Sequence, residues 1–388
     1  MERMETKAQV WLRRLTAGML MGMVLFFSVL FFVTGKKDFS ENENRYLADV
    51  PKFSWRQVQE GAYMDGLTDY VSDHFPFRDF WVGLKTKTEL VCGKRKINGI
   101  FVAEDGYLVE EYAKPENTER IAGTLKKFAD TVEELTAGQG RKIQMRLMLV
   151  PTAVSVYGDK LPKHALVNDQ MQTADYLYAE TGIPPIDCRM ALRENRSGEN
   201  LYYRTDHHWT TFGAYVGYRV FCREMGFAPV SLGEMTAQTV TEEFKGTLYS
   251  KSGDYGHDGD AIVIYTNPSD RLTVEYKDTG EVSDSLYNLE YADKKDKYSL
   301  FLNNLHPLVE ITNETAETDR ELVLVKDSYA NSIVPFLVHH YKKVYVFDTR
   351  YYKEGPSAFI AEHGGVTDVL LLYNMNTLDG DSGIRGVY

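Results

Sequence analysis

Cysteine is scarce: only Cys92, Cys188 and Cys222 occur among 388 residues. An odd count without C-x-x-C spacing supports neither a zinc ribbon nor a disulfide framework, and leaves room for one bridge of unspecified pairing. The histidines outside positions 207 and 208 (His74, His164, His257, His306, His339, His340 and His363) show no H-x-x-x-H or H-E-x-x-H spacing, which removes the helical zinc-site motifs. Positive charge is in deficit, with a formal net charge of −12. That balance argues against a nucleic-acid partner, which needs clustered Lys and Arg. No internal repeat and no low-complexity tract interrupts the chain. With 43% hydrophobic residues it is too apolar to be disordered, and it is long enough for one large domain or one with a small appendage.

What is present begins with a long apolar run. Residues 15–33, LTAGMLMGMVLFFSVLFFV, carry no charge and suffice to cross a bilayer core as a helix. Arg13 and Arg14, with Arg3 and Lys7 behind them, precede the run, while Lys36 and Lys37 follow it. This bias favours a cytoplasmic N-terminus. The run exceeds a signal-peptide core and no small-x-small site follows, so it reads as an uncleaved signal anchor. The expected organisation is a cytoplasmic tail at 1–14, a transmembrane anchor at 15–33 and an entry segment at 34–114. An α/β domain at 115–388 then carries a polar, β-containing excursion at about 230–310. The protein is placed in the cell membrane as a single-pass chain, its C-terminal domain extracytoplasmic.

Within the entry segment, 61–93 reads as helix, turn and helix broken at Pro76, and 97-INGIFVAEDGYLVEEY-112 as a hairpin about Gly106. Ile121, Leu125, Phe128, Val132 and Leu135 then fall on one helical stripe. The strand candidates 143–150, 322–326, 343–347 and 368–373 alternate with helices near 170–182 and 212–225. This pattern indicates an α/β domain with a largely parallel sheet flanked by helices. The 26 tyrosines read mostly as edge and surface residues of strands.

The stretch 203-YRTDHHWTTFGAY-215 concentrates candidate chemistry. On a strand His207 and His208 would point to opposite faces and could not chelate one ion together, whereas Asp206 and His208 share a side. A D-x-H pair supplies the orienting half of a nucleophilic triad. The best hydroxyl is Ser328, at the carboxyl end of the apolar strand in 321-ELVLVKDSYANSIVPFL-337, the edge where open α/β sheets build sites. Plainer readings exist for both stretches. Asp327 or Ser328 would cap the next helical turn, and Thr210 or Thr211 would cap 212–225 with Trp209 packed beneath. A divalent-metal hydrolase using Asp206 and His208 is a further alternative.

The segment 205-TDHHWTTFGAY-215 carries the name-giving motif of the DHHW family. It also resembles the T-D-x-H-W-T motif of the alginate O-acetyltransferase-type branch of SGNH-like hydrolases. Residues 41-ENENRYLADVP-51, 71-VSDHFPFRD-79, 97-INGIFVAEDGYL-108 and 322-LVLVKDSYANS-332 resemble further blocks of that group, so the likeness spans most of the chain beyond the anchor. The resemblance implies an SGNH-hydrolase-like fold with Ser328 as nucleophile, His208 as base and Asp206 as its orienter. It implies O-acetyltransferase or acetylesterase chemistry on a cell-surface or exported polysaccharide; no cofactor and no metal is expected. Its expected partners are an acyl donor or an acyl-donating membrane protein. Two departures stand out: the serine block reads K-D-S rather than G-D-S, and no G-x-N-D segment occurs. Asn304 and Asn331 are the candidate oxyanion donors. A non-catalytic glycan-binding protein of the same fold is the alternative those departures leave open.

Overall fold

The structure is a computed structural model describing residues 7–381 and 383–387. Arg3 and the first six residues of the expected tail lie outside the described residues. The chain forms two compact units, residues 1–93 with 253–255, and residues 94–252 with 256–388. The sequence suggested a boundary at 114/115. The structure groups the hairpin at 97–112 with the larger unit instead, because Phe101, Tyr107, Val109 and Tyr112 belong to its core.

In the smaller unit, α1 (Lys7–Val33) is the apolar helix, long and apolar enough to cross a membrane. The expected helix–turn–helix follows as α2 (Ala62–Asp73) and α3 (Arg78–Val91), with Pro76 in the turn between them. Asp73 ends α2 and ties down the chain before it. Its carboxylate accepts from the Arg45 guanidinium at 2.8 and 2.5 Å and from the Ala48 backbone N–H at 2.8 Å.

The larger unit is built on seven strands: β1 (Gln144–Val150), β2 (Leu272–Tyr276), β3 (Glu281–Ser283), β4 (Leu308–Asn313), β5 (Glu321–Lys326), β6 (Lys343–Phe347) and β7 (Val366–Asn374), in the order β3-β2-β4-β6-β5-β7-β1. Strands β6, β5, β7 and β1 pair in parallel, while β3, β2 and β4 extend the sheet antiparallel. The sheet is therefore mixed, not largely parallel. The physical cause lies in the polar excursion. Its strands β2 and β3 are joined by a tight turn at 277–280, with Gly280 at φ +71, and such a turn can only produce an antiparallel pair. The parallel strands meet the expectation for burial on both faces: Leu322, Val323, Leu324 and Val325 of β5 are wholly inaccessible to solvent.

Helices α4 (Thr118–Ala137), α5 (Gln170–Thr181) and α6 (Thr211–Met225) match the three expected in this region. On α4 the stripe Ile121, Leu125, Phe128 and Val132 is buried as expected; only Leu135 is exposed, Thr136 taking the inward position in the last turn. The tyrosines depart from expectation. Tyr107, Tyr157, Tyr202, Tyr218 and Tyr373 are among those fully buried, several with the hydroxyl bonded inward, as Tyr202 bonds the Pro151 carbonyl at 2.6 Å. A buried phenol costs least where its hydroxyl finds a partner, as Tyr107 does at the Asn200 amide oxygen and Tyr218 at His340, whereas the Tyr373 hydroxyl is buried unpartnered.

Start and stop of α6 matter most for the site. Thr210 caps it, its hydroxyl accepting from the Gly213 N–H at 3.1 Å. Gly213 lies against the Leu201 backbone, where a Cβ would stand 2.2 Å from the carbonyl oxygen. Gly213→Ala is expected to overpack this contact and cost about 1–3 kcal/mol of stability. The check is the denaturant midpoint of the folded chain; an unchanged midpoint would contradict the close approach.

Candidate active site

Residues 204–208 form a run of bends rather than a strand. Asp260, on the two-stranded ribbon Thr236–Phe244 and Asp260–Thr266, accepts from the backbone N–H groups of Arg204 and Thr205, each at 2.9 Å. Because the backbone bends, the strand argument about the histidines fails. The His207 and His208 rings lie on the same side, with centroids 3.9 Å apart.

Asp206 is buried, and all its acceptor capacity is used. Oδ1 accepts from the His208 backbone N–H at 3.0 Å and faces His208 Nδ1 at 2.6 Å. Oδ2 accepts from Thr247 through its N–H at 2.8 Å and its hydroxyl at 3.0 Å. Burial alone would raise this carboxyl, but the two histidines and these hydrogen bonds outweigh it and hold it well below the usual carboxylate range. An ionised carboxylate accepts only, so His208 Nδ1 must carry the hydrogen and Nε2 must present its lone pair. That lone pair faces the Ser328 hydroxyl at 2.8 Å. Burial and the neighbouring His207 push His208 down to about 4, against the upward pull of Asp206, so the ring is neutral at neutral pH.

Ser328 stands where the sequence suggested, at the carboxyl end of β5, and it is half-buried and open to solvent. The capping reading holds as well. Asp327 accepts from the Tyr329 N–H at 2.9 Å, and its other oxygen takes the Asn374 N–H at 2.8 Å, the Asn374 side-chain amide at 2.7 Å and the Thr377 hydroxyl at 2.9 Å. The serine turn is thus fastened to the end of β7. Lys326, the residue that departs from G-D-S, is buried, with its ammonium 3.3 Å from Asp348, which Arg350 also bridges. Its charge is compensated beside the sheet end.

Three further contacts lace the two segments, which are 120 positions apart. Trp209 Nε1 donates to the Tyr329 carbonyl at 2.8 Å, and the Tyr329 hydroxyl donates back to the His207 carbonyl. Tyr298 lies flat on the His208 ring, with centroids 3.7 Å apart and planes 10° apart, and its hydroxyl donates to the Ser328 carbonyl at 3.1 Å. Tyr298, Thr247 and Asp260 all come from the polar excursion, and no motif in the sequence marked them. The asparagines fare differently. Asn331 is buried on the serine turn with its amide oxygen unpartnered, and the Asn304 oxygen accepts from Ser299 at 3.0 Å. No hydrogen bond links either to Ser328 among the described residues.

Asp206, His207 and His208 could together offer ligand atoms within 4.8 Å of one another. The donor set fits an ion poorly. Both His208 nitrogens are engaged, and His207 Nδ1 lies 2.6 Å from the Thr247 hydroxyl. With Nδ1 engaged there, His207 has only Nε2 left for an ion.

A carboxylate, an imidazole and a hydroxyl are hydrogen-bonded in this order at the carboxyl edge of a mixed α/β sheet, the geometric order that marks a candidate Ser-His-Asp triad. The chain belongs to the DHHW protein family, whose profile matches residues 125–347, more than half its length. No curated protein matches it. Among solved structures, a DHHW family protein from Eubacterium siraeum is 25% identical, with a TM-score of 0.64 over 75% of this chain and 96% of that one. PatB1 of Bacillus cereus, with a sulfonyl adduct, is 20% identical, with a TM-score of 0.61 over 74% of this chain and 98% of that one. The O-acetyltransferase domain of Pseudomonas putida AlgJ is 14% identical, with a TM-score of 0.46 over 73% of this chain and 93% of that one.

The short Asp206–His208 contact is expected to give a proton resonance far downfield of the amides. Asp206→Asn should abolish it while Ser328→Ala leaves it in place. Its absence from the wild-type spectrum between neutral and mildly acid pH would contradict the tautomer assigned here.

Proposed function

We propose that this chain is a membrane-anchored, extracytoplasmic serine acyl-transfer enzyme, an O-acetyltransferase or acetylesterase acting on a cell-surface polysaccharide. The observation that carries this reading is the 2.8 Å approach of His208 Nε2 to the Ser328 hydroxyl, with Asp206 fixing the ring from behind. The T-D-H-H-W-T resemblance supplies the acetyl and glycan parts of the reading. The apolar helix α1 supplies the anchor, tethering the site beside a polymer being made or exported. A membrane protein that delivers acyl groups is the natural donor. The sulfonyl adduct on Bacillus cereus PatB1, which shares the fold, is consistent with a nucleophilic site in this architecture.

In this mechanism Ser328 gives its proton to His208 Nε2 as its oxygen attacks the acetyl carbonyl. The tetrahedral oxyanion takes a hydrogen bond from the Ser328 backbone N–H, which heads its turn, where helical geometry leaves donors without intrahelical partners. Asn331 is a second candidate donor. Collapse expels the donor alcohol or thiol, which receives the proton from His208, and leaves the acetyl on Ser328. A glycan hydroxyl or a water then gives its proton to His208 as it attacks the acyl-enzyme, and His208 returns that proton to the departing Ser328 oxygen. Asp206 and the flat face of Tyr298 stabilise the imidazolium formed in each half. A sugar acceptor makes the protein a transferase, water an esterase.

Ser328→Ala is expected to lower hydrolysis of 4-nitrophenyl acetate by on the order of 10³-fold or more. Retention on a polysaccharide column together with activity that ignores Ser328 would favour the binding-protein reading instead. The pH profile carries a second expectation. His208 must be neutral to accept the proton, and its pKa in the folded chain is about 4. Hence kcat/KM should stay level from neutral into mildly acid pH and fall about tenfold per unit only below that value. A fall centred near pH 7 would contradict it.

A further inference from the structure

Among the described residues, α3 carries a large apolar surface that the active site does not use. Phe77, Phe80, Trp81, Leu84 and Val91 are exposed, Phe77 by 65% and Val91 by 88%. At helical spacing they form a single stripe with Thr88, and Lys85 and Lys87 border it on either side. The opposite face of α3 is packed: a Cβ at Gly253 would touch Val82 and Thr86, and Gly83 lies against Tyr255. The outward stripe is therefore not core turned inside out. Two local features aim it. Phe77 takes a left-handed conformation, φ +60, which a bulky residue holds only where its surroundings impose it. Trp81 meets its own polar need within the turn, Nε1 donating to the Pro76 carbonyl at 3.2 Å.

The depth of this surface follows from α1. Phe27 stacks on Phe75 with centroids 5.3 Å apart and meets Trp81 edge-on at 6.0 Å. Phe31 meets Tyr70 at 6.1 Å, and the Lys36 ammonium lies 4.1 Å from the same tyrosine ring. Phe27 is six residues inside the end of the apolar run at Val33, about 9 Å at 1.5 Å per residue. If α1 spans a bilayer, rings touching Phe27 stand below the headgroups.

We propose that the 75–77 turn and α3 form an interfacial foot, seated in the outer leaflet of a phospholipid bilayer alongside α1. Phe77, Phe80, Trp81 and Leu84 enter the acyl-chain boundary, and Lys85 and Lys87 extend sideways to phosphates. Aromatic rings at that depth satisfy the preference for the membrane interface, and the apolar stripe leaves water. This inference rests on the reading of α1 as an anchor. It adds a second attachment, which fixes how the smaller unit stands on the membrane rather than leaving it on a single helix.

The test uses the full chain in nanodiscs of phosphatidylcholine and phosphatidylglycerol, with exposed Cys92 changed to Ser and the two buried cysteines retained. Nitroxide labels are placed singly by Leu20→Cys, Phe80→Cys, Leu84→Cys and Ser269→Cys, and their collisions with oxygen and with a water-soluble nickel chelate are compared. The expected result is that positions 80 and 84 resemble position 20, oxygen-accessible and several-fold protected from nickel relative to position 269. Nickel access at 80 and 84 equal to that at 269, with position 20 still protected, would overturn the foot and leave the anchor standing. Protection from both reagents would overturn it in favour of a protein covering. Nickel access at position 20 as well would remove the anchor, and the foot with it. In a chain carrying only Trp11→Phe and Trp55→Phe, Trp81 should be quenched by phospholipid brominated near its carbonyl ends; absence of that quenching would also overturn the proposal.

Discussion

The buried carboxylate of Asp206 faces four hydrogen-bond donors, two from His208 and two from Thr247, and the rest of the site follows from that saturation. A carboxylate so held stays ionised, and an ionised carboxylate dictates which nitrogen of His208 keeps its hydrogen. The other nitrogen is left as a lone pair with Ser328 in front of it. The site needs no ion and no rearrangement to poise this lone pair, only that two distant chain segments be brought together and kept there.

Keeping them there is the work of the surrounding aromatics and of the excursion. Trp209 donates to the Tyr329 carbonyl, the Tyr329 hydroxyl donates to the His207 carbonyl, and Tyr298 covers the imidazole while gripping the serine turn. Gly246 shows how tightly the arrangement is packed: a Cβ there would stand 2.2 Å from an Asp206 oxygen. The strand that carries Ser328 is meanwhile fastened to β7 through Asp327. Two functions therefore coexist in neighbouring residues, Asp327 shaping the turn and Ser328 offering the hydroxyl, and the capping and catalytic readings of D-S do not compete.

Much of this was legible in the sequence because local patterns carry it. The Thr210 cap and apolar spacing defined α6, the LVLV run defined β5, and D-x-H placed the acid and the ring on one side. Other features had no local signature. Whether the sheet is parallel depends on where a hairpin attaches, and the polar, tyrosine-rich stretch that supplies β2 and β3 looks like an insertion until it is seen paired to the edge. Thr247, Asp260 and Tyr298 are ordinary polar residues whose role comes only from tertiary position. The orientation of the histidine pair was misread for a definite reason: alternation of faces is a property of strands, and the hydrogen bonds from Arg204 and Thr205 to Asp260 hold this segment in bends. Burial of the tyrosines likewise follows from tertiary packing that no sequence pattern announces.

The claim at the centre is that Asp206, acting through His208, makes Ser328 a nucleophile. The direct measurement is the rate at which an aryl sulfonyl fluoride attaches to the protein, with the modified residue located by peptide mass spectrometry. The account predicts a single adduct on Ser328, formed far more slowly in Asp206→Asn. Attachment elsewhere, or an unchanged rate at Ser328 without the Asp206 carboxylate, would contradict it.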